Sequence, residues 1–332
     1  MEHQANILLI GGGALGAMAA LNMETGSRAV VTAVLRSNFA VVNKKGYEFK
    51  SCDHGDIPSW RPTTVLHSIP RLGPGDTPYD FVVITTKNIM DCSPNIVSEI
   101  DKCVSPGFTV IVLIQNGLNI EQPYFEKFPT NIVLSGISMI GAQEICPGVI
   151  EHTSTDDLSI GAFHNQQLDA NREMEAARQF VAIYAASGRA SCNYTANTNW
   201  HRWRKLVYNV SFNALSAITD LDTGALRLSS HHARILISSA MTEIAAAAKA
   251  SGHELSVDIV ETMIDTDPIE DRFVPSMLQD VRKNRLIEFE YILGEPLREG
   301  QRHGVAMPIV TTLYTLCAAI QWRMKQSHAG TQ

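Results

Sequence analysis

The sequence has little charge, and what it has leans acidic. Charged residues make up 18% of its 332 positions, with 27 Lys and Arg against 34 Asp and Glu, for a formal net charge of −7. No basic stripe runs through it, which argues against nucleic acid or an anionic membrane surface as a partner. A phosphate ligand would have to be held by a few placed groups against the global field. No two of the cysteines Cys52, Cys92, Cys103, Cys146, Cys192 and Cys317 form a C-x-x-C pair. Neither a zinc knuckle nor a thioredoxin-type motif can be built from them, and their scatter reads as free thiols in a reducing compartment. No uninterrupted apolar run is long enough to span a bilayer. The start, MEHQANILLIGGG, lacks both a basic n-region and Arg/Ser-rich transit character. No 20–50-residue repeat and no low-complexity tract is present. A cytoplasmic chain with no membrane partner is expected.

What is there suffices for a large core: 45% of residues are hydrophobic, and the length suggests about two domains. The first 160 or so residues alternate strand-like and helix-like patterns. Ile7–Ile10, Ala29–Leu35, Phe81–Thr85 and Thr109–Ile114 are continuous apolar or β-branched runs, and Ala14–Met23 has helical spacing. Buried strands alternating with helices predict a parallel sheet covered on both faces. Ile132–Ile140, Val149–Thr153 and Leu158–Ile160 form a second set of strands, open to an antiparallel arrangement. Ser51–Thr77 reads as an edge-strand and loop excursion. After Asn171–Ala186 the texture turns helical: Thr198–Thr219, His231–Ser251, Val257–Asp265, Ser276–Leu293 and Pro308–Gln326. The expectation is an α/β fold. A doubly wound Rossmann-type domain over 1–196 is followed by an all-helical domain over 197–332.

Gly11-Gly12-Gly13-Ala14-Leu15-Gly16 fits G-x-G-x-x-G. The pattern alone is weak, but it follows a strand and opens a helix at the start of the chain. Gly11 would make the turn, Gly13 would admit a pyrophosphate and Gly16 would let the helix pack on the strand. The anion would then sit at the helix N-terminus, beside free N–H groups. Gly11, Gly13, Ala14, Leu15 and Gly16 are the expected cofactor-binding residues of this loop. Twenty residues after Gly16 stands Arg36, where an NAD-selective site places Asp or Glu. Arg cannot accept from a ribose hydroxyl but can grip a 2′-phosphate, so NADPH is the expected cofactor. Lys87, just past a strand end, is a second candidate cation; a plain surface lysine is the other reading.

Lys205, Asn209 and Asn213 are spaced i, i+4, i+8 among Leu206, Val207, Val210, Phe212 and Leu215. On a helix they form one stripe. It is either a semi-buried donor array beside an ammonium or the solvent face of an amphipathic helix. Asn116, in Gln115-Asn116-Gly117 after a strand, is either a crevice residue or half of an Asn-Gly turn. Ser276 with Gln279 fits a capping box. Glu288, twelve residues on, is off the Ser276 face of the same expected helix. His231-His232 point to different sides of a helix, and no metal site is expected.

Taken together, GGGALG, the strand-end Lys87, IQNG at 114–117, WRKLVYNVSFNAL at 203–215 and PSMLQDVRKNRLIEFEYILG at 275–294 resemble the ketopantoate reductases (2-dehydropantoate 2-reductases). The resemblance covers nearly the whole chain. Its most specific parts are a lysine with asparagines at +4 and +8, and S-M-L-Q-D with a glutamate twelve after the serine. It implies a Rossmann domain, a helical domain and a site in the cleft. It also implies Lys205 as general acid, with Glu288 assisting at the active site. Asn116, Asn209, Asn213 and Ser276 would bind substrate, and Asn116 and Lys87 would also contact NADPH. The implied activity is NADPH-dependent reduction of 2-dehydropantoate to (R)-pantoate, towards pantothenate and coenzyme A. The alternatives are the same chemistry on another 2-oxo acid, ketone or imine in specialised metabolism, and a non-catalytic NADP-binding sensor. A sensor has no need to keep the Lys205 constellation. Monomer and homodimer are both compatible with the sequence.

Overall fold

The apolar runs of the first half become strands. In the computed structural model, which describes residues 4–90 and 95–329, these are β1 (Ala5–Ile10), β2 (Ala29–Val34), β3 (Tyr47–Ser51), β4 (Gly55–Trp60), β5 (Thr64–Leu66), β6 (Phe81–Ile84), β7 (Val110–Leu113), β8 (Val133–Ser138), β9 (Gly141–Cys146), β10 (Val149–Ser154), β11 (Asp157–Ala162) and β12 (Ser191–Tyr194). One sheet has the order β12-β11-β8-β7-β6-β1-β2-β5. All its neighbours pair in parallel except β8 with β11. The central strands β6 and β7 are buried at every residue, as strands covered on both faces must be.

The helix Ala14–Thr25 runs from the Gly-rich turn, and every residue from Gly16 to Met23 is buried. It is enclosed between β2 of the large sheet and β9 and β10 of a second, four-stranded sheet ordered β4-β3-β10-β9. That arrangement bears on two readings. Residues 51–77 hold edge strands and loop, as expected: β4 is an edge of the small sheet and β5 an edge of the large one. The strands after residue 132 are antiparallel in part, β8 with β11 and β9 with β10, but they divide between the two sheets. β8 is parallel to β7, and β10 is antiparallel to β9 but parallel to β3.

Two compact units result. The first runs to Thr198, apart from two short stretches, one starting at Lys87 and one at Asn116–Ile120, which belong with Asn199 onward in the second. The second unit's core gathers Leu206, Val207, Val210, Ile237, Met241 and Leu293 among others. Its helix His231–Ala250 buries Ile237, Ala240, Met241, Ile244, Ala247 and Ala248, and Ser230 caps it by accepting from Ala233 N. That spacing is one helical face.

Three helical expectations need correcting. Thr198–Thr219 is continuous but carries a π-helical turn at Asn209–Asn213. Ser276–Leu293 is not one helix. It stops at Arg282, passes through Asn284 at φ 51°, and resumes near Phe289 with a second π turn, Glu290–Gly294. Asn tolerates that left-handed conformation better than most residues. The capping box is not formed either. Pro275 occupies the N-cap and Ser276 is the first helical residue, while the Gln279 amide donates to Val274 O. Thr223–Ser229 is a further helix, capped by Asp222, that the sequence reading passed over.

Candidate active site

The glycine loop is shaped by what cannot fit beside it. Gly11 has φ 118°, and a Cβ there would lie 2.7 Å from Thr85 Oγ1 and 2.9 Å from Thr86 N. A Cβ on Gly16 would lie 1.9 Å from Gly11 O, so the helix can approach the strand only without one. A Cβ on Gly13 would meet nothing within 4 Å. Loop carbonyls are tied back: Thr85 Oγ1 donates to Gly11 O at 3.0 Å and Tyr47 OH to Gly12 O at 3.0 Å. The Asn38 amide donates to Gly12 O and, at 3.1 Å, to Glu144 Oε1. The helix beyond starts with no side-chain cap and no acidic residue in its first turn. Free N–H groups, a positive helix end and open space at Gly13 suit a pyrophosphate. Nothing in the sequence pattern marks Asn38 and Tyr47 as the buttress of this loop.

Arg36 lies two residues past β2, is exposed, and makes no ion pair among the described residues. Its guanidinium is therefore available to a phosphate. A hollow at the opposite, amino ends of the strands, lined in part by Asn6, Asp80 and Phe108, contains none of the expected residues.

The helical unit gathers the other candidates. Lys205 Nζ donates to Asn116 Oδ1 at 2.8 Å. One turn before Lys205, the buried Arg202 donates from Nη1 to Gly117 O at 2.8 Å. Gly117 packs so closely that a Cβ would lie 2.6 Å from Tyr291 Cβ, and Leu118 N donates to Tyr291 O at 3.0 Å. Lys87 Nζ lies 2.8 Å from Asp280 and 3.3 Å from Glu288. Glu288 is buried rather than solvated, and its Oε1 accepts from Asn88 N at 2.9 Å. Lys87 is thus neither a plain surface lysine nor an uncommitted phosphate ligand, because two carboxylates already engage it.

These contacts set the charges. Burial, then the Arg202 guanidinium, lowers the Lys205 ammonium to about 8; Lys87 lowers it too, and Glu288 pulls back. Lys87 goes the other way. Desolvation near the ammonium opposes its charge, although the side chain is 43% exposed overall, and Glu288 and Asp280 outweigh that cost and raise it. Burial raises the Asp280 carboxyl against the pull of Lys87.

The stripe beyond Lys205 is not a solvent face. Asn209 is 8% exposed and Asn213 3%. Both lie in the π turn, which packs against the helix Ser276–Arg282 and the second π turn. Among the described residues, the side chains of Asn209, Asn213 and Ser276 make no hydrogen bond. Their amide atoms are not sealed from solvent, which leaves them open to a ligand, and π turns recur at functional sites. Such donors suit a polar ligand beside an ammonium.

One cluster of metal-ligand type exists among the described residues. Cys52, Asp53 and His152 bring one ligand atom each within 4.8 Å of one another. Both His152 nitrogens are already hydrogen-bonded, Nδ1 to Ser51 Oγ at 2.9 Å and Nε2 to Ser154 O at 2.7 Å. A hundred residues separate the partners, so no sequence spacing could have flagged the trio. The described cysteines Cys52, Cys103, Cys146, Cys192 and Cys317 are free; Cys92 lies outside the described residues. No described helix is long and apolar enough to cross a membrane.

A dinucleotide-type glycine loop in one unit and a lysine, asparagine and carboxylate constellation in a helical unit define an oxidoreductase. Comparison with known proteins agrees. The family model "Ketopantoate reductase PanE/ApbA" matches residues 7–165, and its C-terminal counterpart matches residues 197–321. An uncharacterised protein of Saccharomyces cerevisiae is 33% identical, over 97% of this chain and 95% of its own. The crystal structure of 2-dehydropantoate 2-reductase from Methylococcus capsulatus is similar at a TM-score of 0.78 and 30% identity, covering 96% of this chain and 97% of that one. D-mandelate dehydrogenase, solved with NADH and anilino(oxo)acetate, shares the fold at a TM-score of 0.81 and 21% identity, covering 96% and 99%. The chain belongs to the ketopantoate reductase family.

Proposed function

We propose that the chain is an NADPH-dependent reductase that converts 2-dehydropantoate to (R)-pantoate. The observation that carries this reading is Lys205. It is a half-buried lysine, its ammonium oriented by Asn116 and lowered to about 8, with the side chains of Asn209 and Asn213, which make no hydrogen bond among the described residues, on the turns that follow. A donor near that value is mostly protonated at neutral pH yet gives up its proton readily.

The cofactor, when bound, supplies a hydride to the substrate carbonyl carbon. Negative charge then builds on the carbonyl oxygen. Lys205 stabilises that charge and delivers its Nζ proton to the oxygen, ending as a neutral amine. Asn116 holds Nζ in place through its Oδ1. Asn209, Asn213 and Ser276 donate to the substrate's carboxylate and hydroxyl. Glu288 assists by receiving the substrate hydroxyl and balancing Lys87. The N–H groups of Gly13, Ala14 and Leu15 face the pyrophosphate, and Arg36 takes the 2′-phosphate. The absence of an acidic side chain at that strand end supports NADPH over NADH.

Steady-state NADPH oxidation tests the reading with 2-dehydropantoate, with 3,3-dimethyl-2-oxobutanoate, which lacks the hydroxyl, and with phenylglyoxylate. A site built to bond the hydroxyl should prefer the first by roughly 10²-fold or more in kcat/KM. Equal use of the second, or preference for phenylglyoxylate, moves the assignment to another 2-oxo acid. No turnover of any of them overturns the reading.

A further inference from the structure

Arg202 stands one residue before WRKLVYNVSFNAL, outside the motif that carries the resemblance. It is 3% exposed, a costly place for a guanidinium. It shares a helix face with Lys205, three residues on, so two cations sit one turn apart in a buried region. Its Nη1 donates to Gly117 O, the residue after the Asn116 that holds Lys205 Nζ. A small polar or apolar residue could fill a purely structural position at lower cost.

We infer that Arg202 is a positioning residue for the reduction: it pins the Asn116–Gly117 turn that orients Lys205 and sets a fixed buried positive charge one helical turn away. The inference rests on the proposed role of Lys205 as proton donor. The groups that face Lys205 are Arg202 from its own helix, Asn116 from the turn after β7, Lys87 from the turn after β6, and Glu288 from the segment before the second π turn. Two cations lower Lys205, and one of them, Lys87, is paired with Asp280 and Glu288. Arg202, which cannot lose its own proton, supplies the larger lowering.

The test separates charge from contact. Arg202→Gln keeps a donor for Gly117 O and loses the charge; Arg202→Lys keeps the charge and loses the planar fork. Reduction needs Lys205 protonated, so its rate falls as pH rises through the Lys205 value. In Arg202→Gln the basic limb of kcat/KM should move up by roughly one pH unit, since one nearby cation is gone. In Arg202→Lys the limb should stay near wild type, while kcat falls about tenfold from the loosened turn. An NMR titration of 13C-methylated lysines, with Lys205 assigned by its loss in Lys205→Arg, should show the same shift without substrate. Melting temperature and NADPH affinity monitor the fold; Arg202→Met, close in volume, takes the place of Arg202→Gln if that variant does not fold.

A limb and an NMR titration that both stay put in the folded uncharged variant overturn the inference. Lys205→Gln distinguishes the two possible failures. If that variant removes the basic limb while Arg202→Gln leaves it in place, Lys205 remains the donor and only the inference falls. If the limb survives in Lys205→Gln, the donor is another group and both fall.

Discussion

Asn213 gives the sharpest separation between a structural and a ligand-binding reading, because the two predict opposite signs. It is 3% exposed, is flanked by the buried Phe212, Ala214 and Leu215, and makes no hydrogen bond among the described residues. A sealed amide without a partner costs about 1–3 kcal/mol, and the Asn213 amide, which is not fully sealed from solvent, costs less than that. Asn213→Leu keeps a similar branched volume and removes the polar group, so it should recover part of that cost. At no more than about 2–4 °C per kcal/mol, the melting temperature should hold or rise slightly. The same change deletes a donor proposed for the substrate. KM for 2-dehydropantoate should rise about 5- to 100-fold, the equivalent of about 1–3 kcal/mol, with KM for NADPH nearly unchanged. Differential scanning fluorimetry and steady-state kinetics on one preparation read both effects. A variant that melts lower and keeps its KM would show that the amide serves the fold, and the clamp of Asn209, Asn213 and Ser276 would lose its main member.

Lys205→Met should lower kcat by about 10²–10⁴-fold, and the wild-type rate should decline as pH rises through about 8, where Lys205 loses the proton it must donate; turnover retained within a few-fold would assign the proton to another group. Arg36→Asp should weaken NADPH binding by roughly 2–4 kcal/mol and narrow the preference over NADH, through loss of a charge-assisted contact and gain of repulsion. Equal NADPH affinity in that variant would place the 2′-phosphate elsewhere. Asp156 is buried, accepts from Asn22 Nδ2 at 2.7 Å and Tyr184 OH at 2.6 Å, and is raised by burial from 3.8 to about 6. Because the folded value is the higher one, ionisation costs stability of about 3 kcal/mol, appearing as pH climbs from about 4 to 6. Asp156→Asn should therefore gain melting temperature relative to wild type between pH 4.5 and 7.5, and a constant gap over that range would contradict the buried-carboxylate account.

Some of this was legible in the sequence and some could not be. The parallel core was, because β6 and β7 are buried on both faces and so read as unbroken apolar runs. The glycine loop was as well, since the turn at Gly11 and the close approach at Gly16 admit no Cβ. What a regular period could not show was where these helices depart from it. A regular period places Lys205, Asn209 and Asn213 on one stripe and Ser276 and Glu288 on one helix. A π turn at Asn209–Asn213 resets the first phase, and the left-handed Asn284 ends the second helix. Neither leaves a periodic signal. Long-range partners were equally silent. Tyr47 on Gly12 O, Asp280 on Lys87 and Arg202 on Gly117 O are pairings across 35, 193 and 85 residues. The small sheet was missed because β4 is largely exposed and lacks an apolar run.

The electrostatics of the helical unit bear on substrate class. Lys205 sits with the cations Lys87 and Arg202 and the carboxylates Asp280 and Glu288, and its charge is the one lowered to about 8. A monoanionic oxo acid gains from a protonated Lys205 in a way that a neutral ketone does not. Under the proposed mechanism the balance then shifts. When Lys205 has given up its proton the cluster carries one positive charge fewer, and the hydroxy acid, still anionic, is held less strongly than the oxo acid was. The group that drives the chemistry would thereby also weaken product binding, and reprotonation of Lys205 would reset the site for the next anion. Product inhibition by pantoate should accordingly weaken as pH rises through about 8, as measured by its Ki against 2-dehydropantoate at fixed NADPH. A Ki that is flat across that range would mean that the carboxylate is held by groups other than this cluster.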